Sequence, residues 1–281
     1  MATPLEENPS RKTSRSREAA KWLLWRILPR RTYQKVLARS KAQDFESRAF
    51  REPELDLLPL AAREGGTAVD VGANHGMWTR AMSRAVGDTG HVIAFEPVPF
   101  TFGTLEALVD RLSLDNVELV NAGCSDHGGT SEFVIPKQDT GATDDLQAHL
   151  ADRRDPEPDG PAESVRCELV RLDDALEEAD HIDVMKLDIE GAELDALKGG
   201  VRTLERHHPV LITEVDAGFL GGFGHSTDEL EGFLRSFGYS PWHYRADDGT
   251  LEPLESLAMI KHANVVFLPG NGRERLSEVI A

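Results

Sequence analysis

From Thr67 onward the chain alternates short Val- and Ile-rich runs with amphipathic helical segments, a pattern that few architectures accept. The runs are Thr67–Val71, His91–Glu96, Val117–Ala122, Ile182–Asp188, Pro209–Val215 and Asn264–Leu268. Near-continuous apolar runs suit strands covered on both faces, and helices between them act as crossovers joining parallel neighbours. Residues 77–86 gather Met77, Trp78, Ala81, Met82, Ala85 and Val86 on one side before Gly87. Residues 99–112 do the same with Phe102, Leu105, Leu108, Val109 and Leu112, and residues 192–205 with Leu194, Leu197, Val201 and Leu204. The pattern predicts a doubly wound α/β domain with a mostly parallel sheet over residues 65–281. Two stretches depart from it. Glu132–Ile135 and Val165–Val170 read as strands joined by a polar stretch, 136–164, of the length expected for a lid, a binding loop or disorder. The strands near Tyr239–Tyr244 and Asn264–Leu268 lack a strong helix between them, so an antiparallel pair is expected to close the sheet edge.

The region before Thr67 is different in kind. Residues 1–16 are polar and basic and are expected to be disordered; residues 17–64 read as a helical extension, with a break at Pro29. Within it, Trp22, Leu23, Trp25, Ile27 and Leu28 stand beside basic residues. Such a helix could lie on a membrane surface or pack on the domain, and packing is the commoner use. Residues 1–41 hold eleven Lys/Arg and three Glu, a charge of +8, which leaves −26 for the rest of a chain whose total is −18. A body so acidic argues against a cationic nucleic-acid groove. Two cysteines cannot build a disulfide framework. With no apolar run near ~20 residues and no signal-peptide pattern, a cytoplasmic protein without stable membrane insertion is expected.

In an open parallel sheet, ligands bind beyond the carboxyl ends of the strands. The first such end, Val69-Asp70-Val71-Gly72-Ala73-Asn74-His75-Gly76, runs from a strand through a glycine turn into a helix whose N-terminus favours an anionic group. A dinucleotide fingerprint would want glycine where Asn74 and Met77 stand. Glu96, at the end of the next strand, could accept both hydroxyls of a ribose. Asp126 follows the third strand. The fourth end, Lys186-Leu187-Asp188-Ile189-Glu190-Gly191-Ala192-Glu193, crowds charge onto a buried strand, where Lys186 and Asp188 share one face. A buried carboxylate without a partner is costly, which favours a working role or an ion pair for Asp188.

Together, Val69–Asn74, Phe95-Glu96-Pro97, Lys186–Glu193 and Glu214 resemble the FkbM family of S-adenosylmethionine-dependent methyltransferases, in order over residues 67 to about 216. The resemblance implies a class I, Rossmann-like fold with a seven-stranded sheet whose last strand is antiparallel. It also implies that Asp70, Gly72, Asn74 and Gly76 surround the methionine part of the cofactor, that Glu96 binds the ribose, and that Asp126 reaches the adenine. The implied activity is O-methylation of a small molecule, sugar or secondary metabolite. Asp188 would be base or orienting group, with Glu190 and Glu214 as further candidates. His225, on a glycine-rich loop, reads as a surface histidine or another proton acceptor. Asp188, Glu214 and Asp216 could supply oxygen ligands to Mg²⁺, which some class I enzymes bind there, though no metal site is predicted. Two other readings stay open: a nicotinamide-dependent oxidoreductase, and a binding module that keeps the fold without catalysis. The oligomeric state is not encoded in any pattern here.

Overall fold

The alternation resolves into a sheet with helices on both faces. The computed structural model describes residues 23–46, 52–136, 149–150, 162–270 and 272–280. The expectation of disorder for 1–16, and most of the 136–164 stretch, fall outside these residues. The strands are β1 (Thr67–Val71), β2 (His91–Phe95), β3 (Val117–Val120), β4 (Gly123–Cys124), β5 (Gly129–Pro136), β6 (His149–Leu150), β7 (Ala162–Val170), β8 (Val184–Leu187), β9 (Val210–Asp216), β10 (Ser240–Arg245), β11 (Thr250–Pro253) and β12 (His262–Leu268). The main sheet runs β11-β10-β12-β9-β8-β1-β2-β3. Strands β3, β2, β1, β8 and β9 are parallel, whereas β12 is antiparallel to both of its neighbours.

Seven of these strands have the class I methyltransferase arrangement, with one reversed strand. The eighth, β11, pairs antiparallel with β10. The expected antiparallel pair is β10 with β12, at this end of the sheet, but it does not close the edge itself because β11 adds outside β10. Val265–Leu268 of β12 are fully buried, and such a run needs neighbours on both sides, so it inserts between β9 and β10. The short β11, ending in Pro253, takes the edge instead, where a missing N–H costs nothing.

The direction of winding reverses between β1 and β8, since the chain leaves β1 outward to β2 and β3 and returns to β8 on its other side. Helix α1 spans Arg30–Glu46, α2 Leu58–Ala61, α3 Met77–Val86 and α4 Pro99–Leu112. On one face of the sheet, Ala68, Val184, Val210 and Ile212 pack against Trp78, Met82 and Val86 of α3 and against Leu57, Leu58 and Ala61. Val69, Val71, Met185, Leu187 and Leu211 fill the opposite face. There α5 (Leu172–Ala175), α6 (Glu193–Lys198) and α7 (Val201–His207) cover them. The single helix expected over 192–205 is broken at Gly199-Gly200. A side chain at Gly199 would sit 2.0 Å from the carbonyl oxygen of Ser125, so the chain passes there only as glycine and restarts.

A second, small sheet, β4-β7-β5-β6, is built from the two strands expected around Glu132–Ile135 and Val165–Val170. Its Phe133, Ile135 and Leu169 join Tyr33, Val98 and Phe100, with Leu24, Trp25 and Leu28 packed alongside. Helix α1 lies against α4, where Gln34 Nε2 donates to the Phe100 carbonyl at 3.0 Å and Gly103 leaves room for it. Packing is thus the use made of Trp25, which meets Tyr33 and Phe100 edge-on at centroid distances of 5.4 and 5.3 Å.

Candidate active site

The ends of β1 and β8 meet where the winding reverses. The Asp188 N–H donates to the Val71 carbonyl at 3.0 Å, and a side chain at Gly72 (φ 86°) would lie 2.0 Å from the Asp188 carbonyl oxygen. Gly72 therefore serves two purposes, a left-handed turn and a close backbone approach. The N–H groups of Gly72 and Ala73 both donate to the Phe95 carbonyl, which seats the loop on β2. Asn74 also has positive φ, 47°, and its N–H donates to Glu96 Oε2 at 3.0 Å. Glu96 Oε1 accepts from the Val98 N–H at 2.9 Å. The Asn74 side-chain Oδ1 is buried with no hydrogen-bond partner within the protein. Gly76 (φ 80°) starts α3, its Cα turned to Leu105 and Leu108 of α4.

Asp70, Lys186 and Ile212 are register partners across β1, β8 and β9. Asp70 is buried and accepts the Thr79 hydroxyl at 2.6 Å; burial raises its carboxyl to about 6, against the pull of Thr79 and Lys186. Lys186 is fully buried. Its Nζ lies 3.4 Å from Asp188 Oδ2 and 2.9 Å from Asn264 Oδ1, and 5.4 Å from the Trp78 ring centroid. Burial pulls this ammonium down, but Asp188, Glu52 and Glu214 more than offset it and keep it charged. Asn264 Nδ2 in turn donates to Glu52 Oε2 at 2.9 Å, which also accepts the Trp78 indole N–H at 3.0 Å. Glu54 is buried beside them and held above the usual carboxylate range by desolvation.

Around Asp188 the other acids are committed differently. Glu193 Oε1 accepts the N–H groups of Ile189 and Gly191, both at 3.1 Å, and burial raises it to about 7. Glu214 is pushed well above the usual carboxylate range by burial and by the Asp188 charge, against the pull of Lys186. Glu190 has φ 56°, and Gly191 follows at 105°, where a side chain would collide with the Phe219 carbonyl. The Asp188 side chain keeps 35% of its surface open. Asp126 is exposed at the end of β4, its Oδ1 paired with His127 Nδ1 at 2.6 Å, a contact that lowers its carboxyl.

The structure thus gathers Asp70, Gly72, Asn74, Glu96 and Asp188 at one reversal point, with Glu214 in electrostatic reach of Asp188. His225 is not a loop-surface residue: only 14% of its side chain is open, and its Nε2 lies 2.8 Å from Asp195 Oδ1 of α6. Asp216 caps α8 (Ala217–Gly222) by accepting the Phe219 N–H and also contacts His262, so it does not turn to Asp188. Among the described residues no three His, Cys, Asp or Glu are grouped to hold a metal ion, and the Mg²⁺ set considered for Asp188, Glu214 and Asp216 does not fit. Trp78, Glu52, Glu54 and Asn264 were not anticipated as parts of the site. A polar Asn within the apolar run of β12 was the one available sign; Glu52 lies 212 residues from Asn264 and gave none.

A family model for the methyltransferase FkbM domain matches residues 70–241. The chain belongs to the FkbM methyltransferase family. Methyltransferase sdnD of Sordaria araneosa is 31% identical over 188 residues, covering 58% of this chain and 71% of that protein. Methyltransferase 1 of Beauveria bassiana is 26% identical over 194 residues, covering 65% and 75%. A solved FkbM methyltransferase from Methylobacillus flagellatus aligns over 90% of this chain at 17% identity and a TM-score of 0.45; the chain spans 59% of that protein's length. FkbM membership makes this an S-adenosylmethionine-dependent methyltransferase and sets aside the nicotinamide reading.

Proposed function

We propose that the chain moves a methyl group to a hydroxyl oxygen of a small molecule, with Asp188 receiving or orienting the hydroxyl proton. The observation that carries this reading is the contrast among the acids. Asp188 is open to an incoming group and faces the Lys186 ammonium, whereas Glu193 is bound to backbone N–H groups and Glu214 is buried and pushed toward its protonated form. Glu190, on the turn beside Asp188, is the remaining candidate to contact an acceptor.

S-adenosylmethionine, when bound, supplies an electrophilic methyl on sulfur. The residues at the reversal point fit it. The partnerless Asn74 Oδ1 offers an acceptor in the turn where Asp70 adds a buried carboxyl, which suits the amino end of the cofactor. The start of α3 suits its carboxylate. Glu96, at the end of β2 with its two oxygens accepting the N–H groups of Asn74 and Val98, is assigned to the ribose hydroxyls. Asp126, exposed beyond β4, is assigned to the adenine edge. An aliphatic hydroxyl is a weak nucleophile, so positioning and a proton acceptor supply the acceleration. Lys186, with its Nζ 3.4 Å from Asp188 Oδ2, fixes the position of that carboxylate.

Thermal unfolding with S-adenosylhomocysteine and, separately, NAD tests the cofactor; a ligand at 100 times its dissociation constant adds about 2.7 kcal/mol. Asp188→Asn should abolish methyl transfer to hydroxylated acceptors while homocysteine-compound binding survives. Turnover at the wild-type rate would sink the assignment of Asp188, and methyl groups recovered only on nitrogen or carbon would sink O-methylation.

A further inference from the structure

The helical segment over 23–27 and α1 divide their residues between two sides. Leu24, Trp25, Leu28, Tyr33, Leu37 and Ala38 point into the protein and complete its packing. The opposite side is not needed for packing, yet it is not uniformly polar. Four large hydrophobic side chains are exposed among the described residues, and three stand here: Leu23 at 50%, Ile27 at 65% and Val36 at 38%. Leu23 and Ile27 are one helical turn apart and share a side. Five exposed cations stand in the same two helical segments, Arg26, Arg30, Arg31, Lys35 and Arg39, of which Arg30 also lies over the Phe100 ring at 5.2 Å. Arg31, Lys35 and Arg39 follow each other at four-residue steps along α1. No acidic residue occurs between Glu18 and Asp44, in a chain that is otherwise strongly acidic.

We propose that this outer side docks on an anionic lipid bilayer, as a peripheral contact. A bilayer interface offers both chemistries that the side presents, phosphate and carboxylate headgroups for the cations and an apolar boundary for Leu23, Ile27 and Val36. A polynucleotide would satisfy only the cations and leave the aliphatic groups in water. The −26 body is repelled by the same bilayer, which confines contact to the helices and turns the rest of the protein away. That repulsion fades beyond a Debye length of about 8 Å at physiological salt, so it does not prevent docking. Arg11, Lys12, Arg15, Arg17 and Lys21 lie just upstream in sequence and continue the run of cations.

The test is cosedimentation of the full chain with vesicles of phosphatidylcholine alone, or with about 30 mol% phosphatidylserine. Binding is expected to the anionic vesicles only and to weaken as salt rises. Two variants separate the contributions: Leu23→Ser with Ile27→Ser, and Arg31→Glu with Lys35→Glu and Arg39→Glu. Each should reduce partitioning about tenfold or more with unchanged circular dichroism and S-adenosylhomocysteine binding. Failure to sediment with anionic vesicles would overturn the proposal, as would full binding by both variants. Equal binding to single-stranded RNA, unaffected by Leu23→Ser with Ile27→Ser, would overturn it in favour of a polyanion surface.

Discussion

Replacing Asp70 with Asn removes one ionisable oxygen from the centre of the site at nearly constant shape. Burial raises the folded-state carboxyl to about 6 from its ordinary 3.8. Below pH 3.8 both folded and unfolded chains carry the proton, and the group has no effect on stability. As pH rises from there toward 6, the unfolded chain releases its proton first, so the unfolded state binds fewer protons and stability falls. Above 6 both states are ionised and the loss is complete. At about 1.4 kcal/mol per pH unit the interval corresponds to about 3 kcal/mol. Asn carries no such penalty, and its carbonyl can still accept the Thr79 hydroxyl that now reaches Asp70. Any packing difference between the two proteins is constant with pH. Glu54, Glu193 and Glu214 titrate in both and largely cancel. Urea unfolding of both proteins from about pH 4 to about pH 8 should show the variant gaining about 2 kcal/mol on the wild type between pH 4 and 6.5, the rest of the change lying outside that window, and a nearly constant gap above it. A gap that does not change with pH would refute the reasoning and show that Lys186 fully offsets the burial of Asp70. The proposed role of Asp70 adds a second expectation: the more stable variant should bind S-adenosylhomocysteine more weakly.

Gly72→Ala places a methyl group 2.0 Å from the Asp188 carbonyl oxygen at a left-handed position, so a loss of about 3 kcal/mol or more is expected by thermal unfolding. Gly221→Ala, in α8 with nothing within 4 Å, is the control and should be neutral or stabilising. Lys186→Met strips the buried cation from Asp188, Glu52 and Glu214; denaturant unfolding should show a loss of about 3–5 kcal/mol, larger at pH 8 than at pH 5, where protonation of the acids substitutes for the missing charge.

Most of the sheet was legible because its strands are both apolar and short. Runs such as Thr67–Val71 and His91–Phe95, divided by helices that end at Gly87 or begin at Pro99, admit little but a parallel sheet. The polar ends of those strands also marked the site, since Asp70 and Asp188 sit on strands with no other reason to carry charge. Features set by distant contact were not legible. The break at Gly199 depends on Ser125, the placement of β12 depends on whether another strand will take the edge, and the recruitment of Glu52 depends on Asn264. His225, which is on the expected loop, likewise looked like a surface residue because its partner, Asp195, lies 30 residues earlier on a helix. Local pattern reports the period of burial, not the identity of the neighbour.

The hydrogen bond between Asn264 and Glu52 joins residues 212 apart, and Lys186 meets its neutral partner only through β12. Such long-range closures are entropically expensive and late in folding. During synthesis the strands β1, β8 and β9 can emerge and pair while Lys186 still lacks Asn264. Until β12 slides between β9 and β10, the nascent chain holds a cluster of acids around a cation whose amide partner has not yet been made. The closed polar centre therefore requires β12, and a stalled or cleaved chain that stops before residue 262 would carry the methyltransferase sequence signature without it.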